Sequence, residues 1–298
     1  MSAPPPRAWL QDGTGWPNRS DSRFVEASGL VWHVQTMGAG PVIFLAHGTG
    51  AATHSWRDLA PALAAHFTVF AADLPGHGFT SAPPWHTLSL PGMARDLQKL
   101  FLALDMSPRL VVGHSAGAAI LARMCLDGAI APAGLVSLNG AFVPFAGPGG
   151  SFFAPLARLL VGLPGLPQLF AWRAKDQKVI DRLLSGTGSR LDAAGVGFYT
   201  RLIRNADHAA AALRMMASWD LAPLLRDLPR LAPALLLVVG EADRLIPPSD
   251  AEKLRQLVPG AEIVSLPGLG HLAHEEKPQE TADIIVDFAR RLGVLAVS

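Results

Sequence analysis

Residues Leu110-Val111-Val112-Gly113-His114-Ser115-Ala116-Gly117 run an apolar stretch straight into Gly-x-Ser-x-Gly, and Ala118–Met124 continues with a helical composition. A strand, a sharp turn and a helix in immediate succession are what a nucleophile elbow requires. Such a turn holds Ser115 on a strained backbone with its Oγ raised above the sheet. Gly113 and Gly117 let strand and helix approach without a Cβ between them. The helix N-terminus directs partial positive charge at the site, which favours a developing oxyanion.

The surroundings of this stretch alternate. Arg23–Ala27 and Leu30–Thr36 flank Ser28-Gly29, a two-residue hairpin signal. Short apolar runs at Val42–Ala46, Thr68–Ala72, Arg109–Gly113, Gly134–Asn139, Ala234–Gly240 and Ala261–Leu266 read as buried strands. Helical patterns at His54–Ala65, Pro91–Leu104, Ser249–Leu257 and Pro278–Leu292 separate them. This alternation predicts an α/β fold: an eight-stranded, mostly parallel, doubly wound sheet with an antiparallel hairpin at one edge. The alternation stops after the sixth strand. Residues 141–218 are rich in Leu, Phe, Ala, Gly and Pro, with helical periodicity. They are expected to form a helical cap inserted into a core made of residues 1–140 and 219–298. Residues 1–22 are expected to form an extended arm anchored on the domain surface by Trp9 and Trp16.

Composition removes several function classes. The 298 residues carry 25 basic and 24 acidic side chains with no basic block, so nucleic acid is not an expected partner. Cys125 is the single cysteine, which excludes an internal disulfide and a cysteine-rich zinc site. No metal or cofactor is expected. Residues 152–172 are apolar, but Pro155, Arg158, Pro164 and Pro167 interrupt them, so no membrane span is expected. No basic segment followed by an apolar run opens the chain, and a cytoplasmic protein, at most peripheral to a membrane, is expected.

A serine at its ordinary pKa needs a base, and the base needs an orienting group. In a doubly wound sheet these gather beyond the carboxyl ends of the strands. Asp243 follows the seventh strand and His271 the eighth, giving the chain order Ser115, Asp243, His271. Glu241 is a rival acid closer to the strand end. His274 is a rival base three residues on. Gly268 and Gly270 favour His271, because they let its loop bend back over the sheet edge. Most of the ten histidines are expected to be surface or structural. The place after the sixth strand, where some such enzymes carry their acid, holds Asn139, which cannot supply a charge. The oxyanion donors are expected to be the Ala116 N–H and the Thr49 N–H of His47-Gly48-Thr49-Gly50, with Gly50 next in line. His47 is expected to hydrogen-bond within that loop.

The combination of His47-Gly48, Asp73-x-Pro75-Gly76-His77-Gly78, Gly113-His114-Ser115-x-Gly117, Gly240-x-x-Asp243-Arg244-x-x-Pro247 and Gly270-His271 resembles the α/β-hydrolase superfamily over about residues 23–292. Four further stretches narrow the resemblance: Trp16-Pro17-Asn18-Arg19, Val31-Trp32-His33-Val34-Gln35, His47-Gly48-Thr49-Gly50-Ala51 through Ser55-Trp56-Arg57, and Asp73-Leu74-Pro75-Gly76-His77-Gly78-Phe79-Thr80. With these the chain is similar to the magnesium-chelatase accessory hydrolases of bacteriochlorophyll biosynthesis. That resemblance implies a role in tetrapyrrole synthesis, with the magnesium chelatase as a candidate partner, and leaves the reaction undefined.

Two classes of function follow. One is a serine hydrolase acting on an ester or related acyl bond of a bulky apolar substrate, such as a porphyrin intermediate. The other is a non-catalytic accessory or carrier that holds a tetrapyrrole. Haloalkane dehalogenases and epoxide hydrolases of this fold place an aspartate where Ser115 stands, which sets them aside. General carboxylesterases, lactonases and carbon–carbon bond hydrolases stay open. Gly48, His114, Phe142, Phe145, Phe152, Phe153 and Trp172 are the expected substrate-binding residues, the aromatic ones offering faces to a flat ligand.

Overall fold

The structure, a computed structural model, describes residues 2–144, 172–173 and 176–296. Its centre is one eight-stranded sheet: β1 (Ser22–Ala27), β2 (Leu30–Met37), β3 (Val42–Ala46), β4 (Thr68–Ala72), β5 (Leu110–His114), β6 (Gly134–Leu138), β7 (Ala234–Gly240) and β8 (Glu262–Leu266), in the spatial order β1-β2-β4-β3-β5-β6-β7-β8. The β1–β2 and β2–β4 pairs are antiparallel, and every other pair is parallel. The first connection from β3 runs outward to β4 and the next crosses back to β5. The loops after β3 and β5 therefore diverge, opening a crevice at their carboxyl ends.

The central strands are apolar on both faces because both faces are covered. Alternate residues divide between two cores. Phe44, Ala46, Val111, Leu135, Leu235 and Leu237 face one, with side chains of α3 (Leu90–Ala103) and α4 (Ala116–Leu126). Ile43, Leu45, Leu110, Val112, Val136, Leu236 and Val238 face the other. That second core is closed by α2 (Leu59–Ala64) and by the last helix, Pro278–Arg291.

Two local expectations are corrected. The chain over 54–65 is not one helix: a 3₁₀ turn at Thr53–Trp56 precedes α2. Pro61 explains the break, since it has no N–H to give the Arg57 carbonyl four residues back. That carbonyl accepts instead from Asn18 Nδ2 at 3.2 Å. The N-terminal arm is not simply extended either. It contains α1 (Arg7–Asp12) and a 3₁₀ turn at Arg19–Asp21. The Arg19 guanidinium stacks 4.4 Å from the Trp9 ring and donates to the Gly13 carbonyl, tying the two turns together.

Between β6 and β7 the described helices are α5 (Gln177–Ser185), α6 (Ala193–Arg204), α7 (Ala206–Ala217) and α8 (Ala222–Asp227). Asp176, Asp192 and Asn205 cap the first three through backbone N–H groups. After β7 come α9 (Ser249–Leu257), then β8, α10 (Ala273–Glu276) and α11 (Pro278–Arg291). Among the described residues no helix is long and apolar enough to cross a membrane.

The arm joins α6 to the core. Trp16 is 2% exposed, donates Nε1–H to Thr53 Oγ1 at 3.1 Å, and meets Phe79 and Phe198 edge-on. Trp9, Phe24 and Leu202 complete that cluster. Trp16→Ala should destabilise the chain by about 3–5 kcal/mol, the usual cost of deleting a buried large aromatic. Urea unfolding of the two proteins checks this, and an unchanged midpoint would mean that the arm is not part of the fold's stability.

Candidate active site

Ser115 sits between β5 and α4 with φ 51° and ψ −119°, a positive φ that a non-glycine residue adopts only under constraint. The constraint comes from close packing on both sides. A Cβ at Gly113 would overlap the Ala118 backbone, and one at Gly117 would overlap the Ala46 carbonyl. Ser115 N–H donates to Leu138 C=O at 3.1 Å, and Ser115 C=O accepts from Ala141 N–H at 3.0 Å. The elbow is thus pinned to the end of β6 while its side chain stays partly exposed.

Asp243 and His271 meet at the same edge. The Nδ1–H of His271 donates to Asp243 Oδ2 at 2.8 Å, which leaves Nε2 as the basic nitrogen. Asp243 is saturated from all sides. Its Oδ1 accepts from the N–H groups of Leu245 at 2.7 Å and Ile246 at 2.9 Å, and Oδ2 accepts from Asn139 Nδ2 at 2.8 Å. These donors stabilise the carboxylate and fix its rotamer. Asn139, in the position after β6, has φ 47° and orients the acid. Glu241 is exposed. His274 is 1% exposed and points elsewhere: its Nε2 lies 2.9 Å from Ser55 Oγ.

The loop after β3 is held in place by histidines. His47 Nδ1–H donates to Gly48 C=O at 2.8 Å while its Nε2 accepts from Leu74 N–H at 2.8 Å. Gly48 lies against the elbow, where a Cβ would come 2.9 Å from Ser115 Cβ. Thr49 Oγ1 donates to Met215 Sδ at 3.5 Å, so α7 supports this loop from above. Ala116 stands at the first position of α4, where the N–H has no carbonyl within its own helix. Ala116 N–H thus stands directly after Ser115, and Thr49 follows Gly48 in the loop that lies against it.

The other expected substrate-binding residues are dispersed. His114 is buried, and its Nε2–H donates to the His271 carbonyl at 2.9 Å, so it braces the loop that carries His271. Phe142 is 1% exposed and packs into the core beside α4. Trp172 is 60% exposed. Phe145, Phe152 and Phe153 lie outside the described residues. Among the described residues no group of His, Cys, Asp and Glu could hold a metal ion.

Sequence reasoning missed His208, Glu275 and Asp73 as parts of the site's frame. His208 on α7 accepts from Gly78 N–H through Nδ1 at 3.0 Å and donates Nε2–H to Gly50 C=O at 3.1 Å. One neutral ring thereby joins the loops after β3 and β4 to the inserted helix. Glu275 accepts from Ser55 Oγ at 2.6 Å, Tyr199 OH at 2.7 Å and Arg57 Nη1 at 2.6 Å. Burial pushes the Glu275 carboxyl up, against the opposing pull of Ser55, Tyr199 and Arg57. Asp73 accepts from Thr53 N–H, Phe79 N–H and His33 Nδ1–H at 2.7, 2.9 and 2.8 Å. Burial would raise its pKa, but His33 and these donors outweigh that and hold it far below the usual carboxylate range.

Eight of the ten histidines are buried, so of the two expected settings, surface or structural, most take the structural one. Burial lowers the pKa of His47, His54, His77, His114, His208 and His274, that of His208 to about 4 and that of His274 to about 3. The folded chain keeps these rings neutral, whereas the unfolded chain protonates them near pH 6.5. Their contribution to stability is complete above that pH and is lost as pH falls through the folded values. Each histidine should cost up to about 1.4 kcal/mol per pH unit within its window. The urea midpoint should fall clearly between pH 7.5 and pH 5.5, before Asp73 begins to protonate in the unfolded chain. A midpoint flat over that range would contradict the neutral assignment.

Comparison with known proteins bears on the family and the fold. A family model described as "Alpha/beta hydrolase family" matches residues 42–284. A Rhodobacter capsulatus protein named "Magnesium-chelatase 30 kDa subunit" is 38% identical over 275 residues, covering 92% of this chain and 96% of its own length. A Vibrio vulnificus protein named pimeloyl-(acyl-carrier protein) methyl ester esterase is 26% identical over 86% of this chain and 97% of its own length. The crystal structure of an alpha/beta hydrolase fold protein from Burkholderia ambifaria superposes with a TM-score of 0.75 at 24% identity, over 89% of this chain and 96% of that one.

Proposed function

The chain belongs to the alpha/beta hydrolase family, and from that premise we propose that it is a serine hydrolase with Ser115 as nucleophile, His271 as general base and Asp243 as the group that orients the base. The observation that carries the proposal is the pairing of a serine at φ 51° with a carboxylate–imidazole pair at 2.8 Å on the same sheet edge. His271 Nε2 takes the Ser115 Oγ proton as Oγ attacks the acyl carbon. Asp243 stabilises the imidazolium without taking the proton. The main-chain N–H groups of Ala116 and Thr49 receive the negative charge that develops on the carbonyl oxygen. The proton passes from His271 to the leaving group, and water then repeats the sequence to free Ser115.

The substrate we assign is a bulky, mostly apolar ester or related acyl compound, a porphyrin intermediate in bacteriochlorophyll synthesis, and we place the protein beside the magnesium chelatase. The relative named as a chelatase subunit supports this assignment. We treat residues 141–218 as a cap over the site. The contacts of His208 and Met215 with the loop at residues 48–50 support that reading. A second reading, a tetrapyrrole-holding accessory without catalysis, is favoured by one observation: that relative is named for a chelatase subunit, not for a hydrolase.

A fluorophosphonate probe should label the wild-type chain at Ser115. Ser115→Ala should abolish labelling and lower ester hydrolysis by about 10⁴-fold, the scale of losing a triad member. His271→Ala should do the same, while His274→Ala should not silence the serine. An unlabelled wild-type protein would reject the hydrolase and leave the accessory reading.

Magnesium-protoporphyrin should quench the protein's tryptophan fluorescence on binding. Only millimolar or absent binding, together with efficient turnover of short-chain esters, would reject the tetrapyrrole ligand and leave a general esterase.

A further inference from the structure

The acid and the base stand on separate loops, after β7 and after β8. Near the strand ends the loops touch directly, with Ala242 N–H donating to Leu269 C=O at 2.8 Å. Further out, where Asp243 and His271 themselves stand, a third piece of chain lies between them. It is the turn Thr187-Gly188-Ser189, just after α5 in the segment inserted between β6 and β7.

The contacts of this turn converge on both loops. The Thr187 carbonyl accepts from His271 N–H at 3.1 Å and from Arg244 N–H at 3.3 Å. One oxygen therefore bridges the backbone of the base to the residue after the acid. Ser189 Oγ accepts from Leu272 N–H at 2.8 Å. The turn is itself braced, because Ser189 N–H donates to Thr187 Oγ1 at 3.1 Å. Packing leaves no slack. Gly188 has φ +82°, and a Cβ there would overlap the Ala242 carbonyl. A Cβ at Gly270 would overlap the Gly188–Ser189 backbone. The Glu276 carboxylate closes the far side, accepting from Gly270 N–H at 2.9 Å and Arg190 N–H at 3.0 Å. Thr187 and Ser189 are each 8% exposed, so water competes poorly for these bonds.

We propose that the Thr187-Gly188-Ser189 turn is a positioning element for the reaction, setting the reach of His271 relative to Asp243 and Ser115 through the backbone of both loops. The proposal rests on the serine hydrolase reading. A hydrogen bond of 2.8 Å between His271 and Asp243 survives only if both loops hold their spacing, and a base displaced by a fraction of an ångström loses its alignment with the serine. The inserted segment then does more than cover the site: it supplies part of the frame that aligns acid and base.

The test uses the full chain with Ser189→Ala, Gly188→Ala and, as a control in the same segment, Thr200→Ala, whose hydroxyl only bonds the Val196 carbonyl of its own helix. Two measurements are made. One is amide hydrogen exchange at His271, Leu272 and Arg244. The other is hydrolysis of 4-nitrophenyl butyrate alongside fluorophosphonate labelling.

Ser189→Ala should speed exchange at Leu272 and lower kcat by about tenfold, the scale of one hydrogen bond lost from an aligned group. KM should change by less than about twofold, because the ester-binding surface is untouched. Gly188→Ala should lose more, and should it fail to fold, Ser189→Ala alone decides. Thr200→Ala should match the wild type in both measurements. Wild-type kcat and exchange in Ser189→Ala would overturn the proposal, as would a change in KM alone. If the wild-type serine is not labelled, the hydrolase reading has failed, and exchange alone then judges the turn: unchanged exchange in Ser189→Ala overturns it too.

Discussion

The site depends on one close approach of backbone to backbone. α4 packs so tightly on the ends of β5 and β3 around Ser115 that neither Gly113 nor Gly117 can carry a Cβ. This forces φ 51° on the serine, a conformation that costs of order 1–3 kcal/mol in isolation. The surrounding core offsets that cost. Ile120, Leu121 and Met124 of α4 are fully buried, and β5 is paired on both sides by parallel strands. Everything else in the site is arranged around a serine that cannot relax. Gly48 must be glycine because the loop after β3 lies against the Ser115 side chain.

The polar frame around that elbow is built from neutral rings and from carboxylates saturated with donors. His47, His114 and His208 each bind main-chain groups, and in each the bonds define the tautomer. A neutral imidazole both donates and accepts, so one side chain can satisfy an N–H and a C=O at once. A buried lysine or carboxylate in the same place would bring a charge needing a partner. Asp73, Glu275 and Asp243 are carboxylates that have such partners, and Asp243 is the one paired with His271. Four donors surround Asp243, which holds the carboxylate facing His271 in one orientation.

Much of this was legible in the sequence because it lies in short-range pattern. Strand boundaries at Val42–Ala46, Thr68–Ala72 and Ala234–Gly240 match, since a strand buried on both faces reads as an unbroken apolar run. The places of Asp243 and His271 just past strand ends carry the expectation that they meet, and the two side chains lie 2.8 Å apart. The frame was not legible. His208 meets Gly50 across 158 positions, and Ser189 meets Leu272 across 83. In both cases one partner is a main-chain group, which carries no residue-type signal. Pro61 hid the break before α2 for the opposite reason: proline is tolerated in a first helical turn, so the pattern gave no hint of where that turn began. His114 was read as a contact for substrate from its place beside Ser115. A residue next to the nucleophile on a buried strand points into the protein, where His114 meets the His271 carbonyl.

These long-range bonds also constrain how the site can be reached. Among the described residues the segment between β6 and β7 is fastened at several places, among them Thr187 and Ser189 on the loops of Asp243 and His271, Tyr199 on Glu275, and His208 on the loops after β3 and β4. Lifting α6 and α7 together would strip partners from Glu275, from Gly78 N–H and from Gly50 C=O. Each buried group left unpaired costs about 1–3 kcal/mol. Lifting the turn after α5 would add His271 N–H and Leu272 N–H, at the very loop that must stay still in the mechanism we propose. A motion of that kind would dismantle the alignment it is meant to serve. In the hydrolase we propose, substrate therefore reaches Ser115 by a route that leaves α6, α7 and the Thr187–Ser189 turn seated on the core.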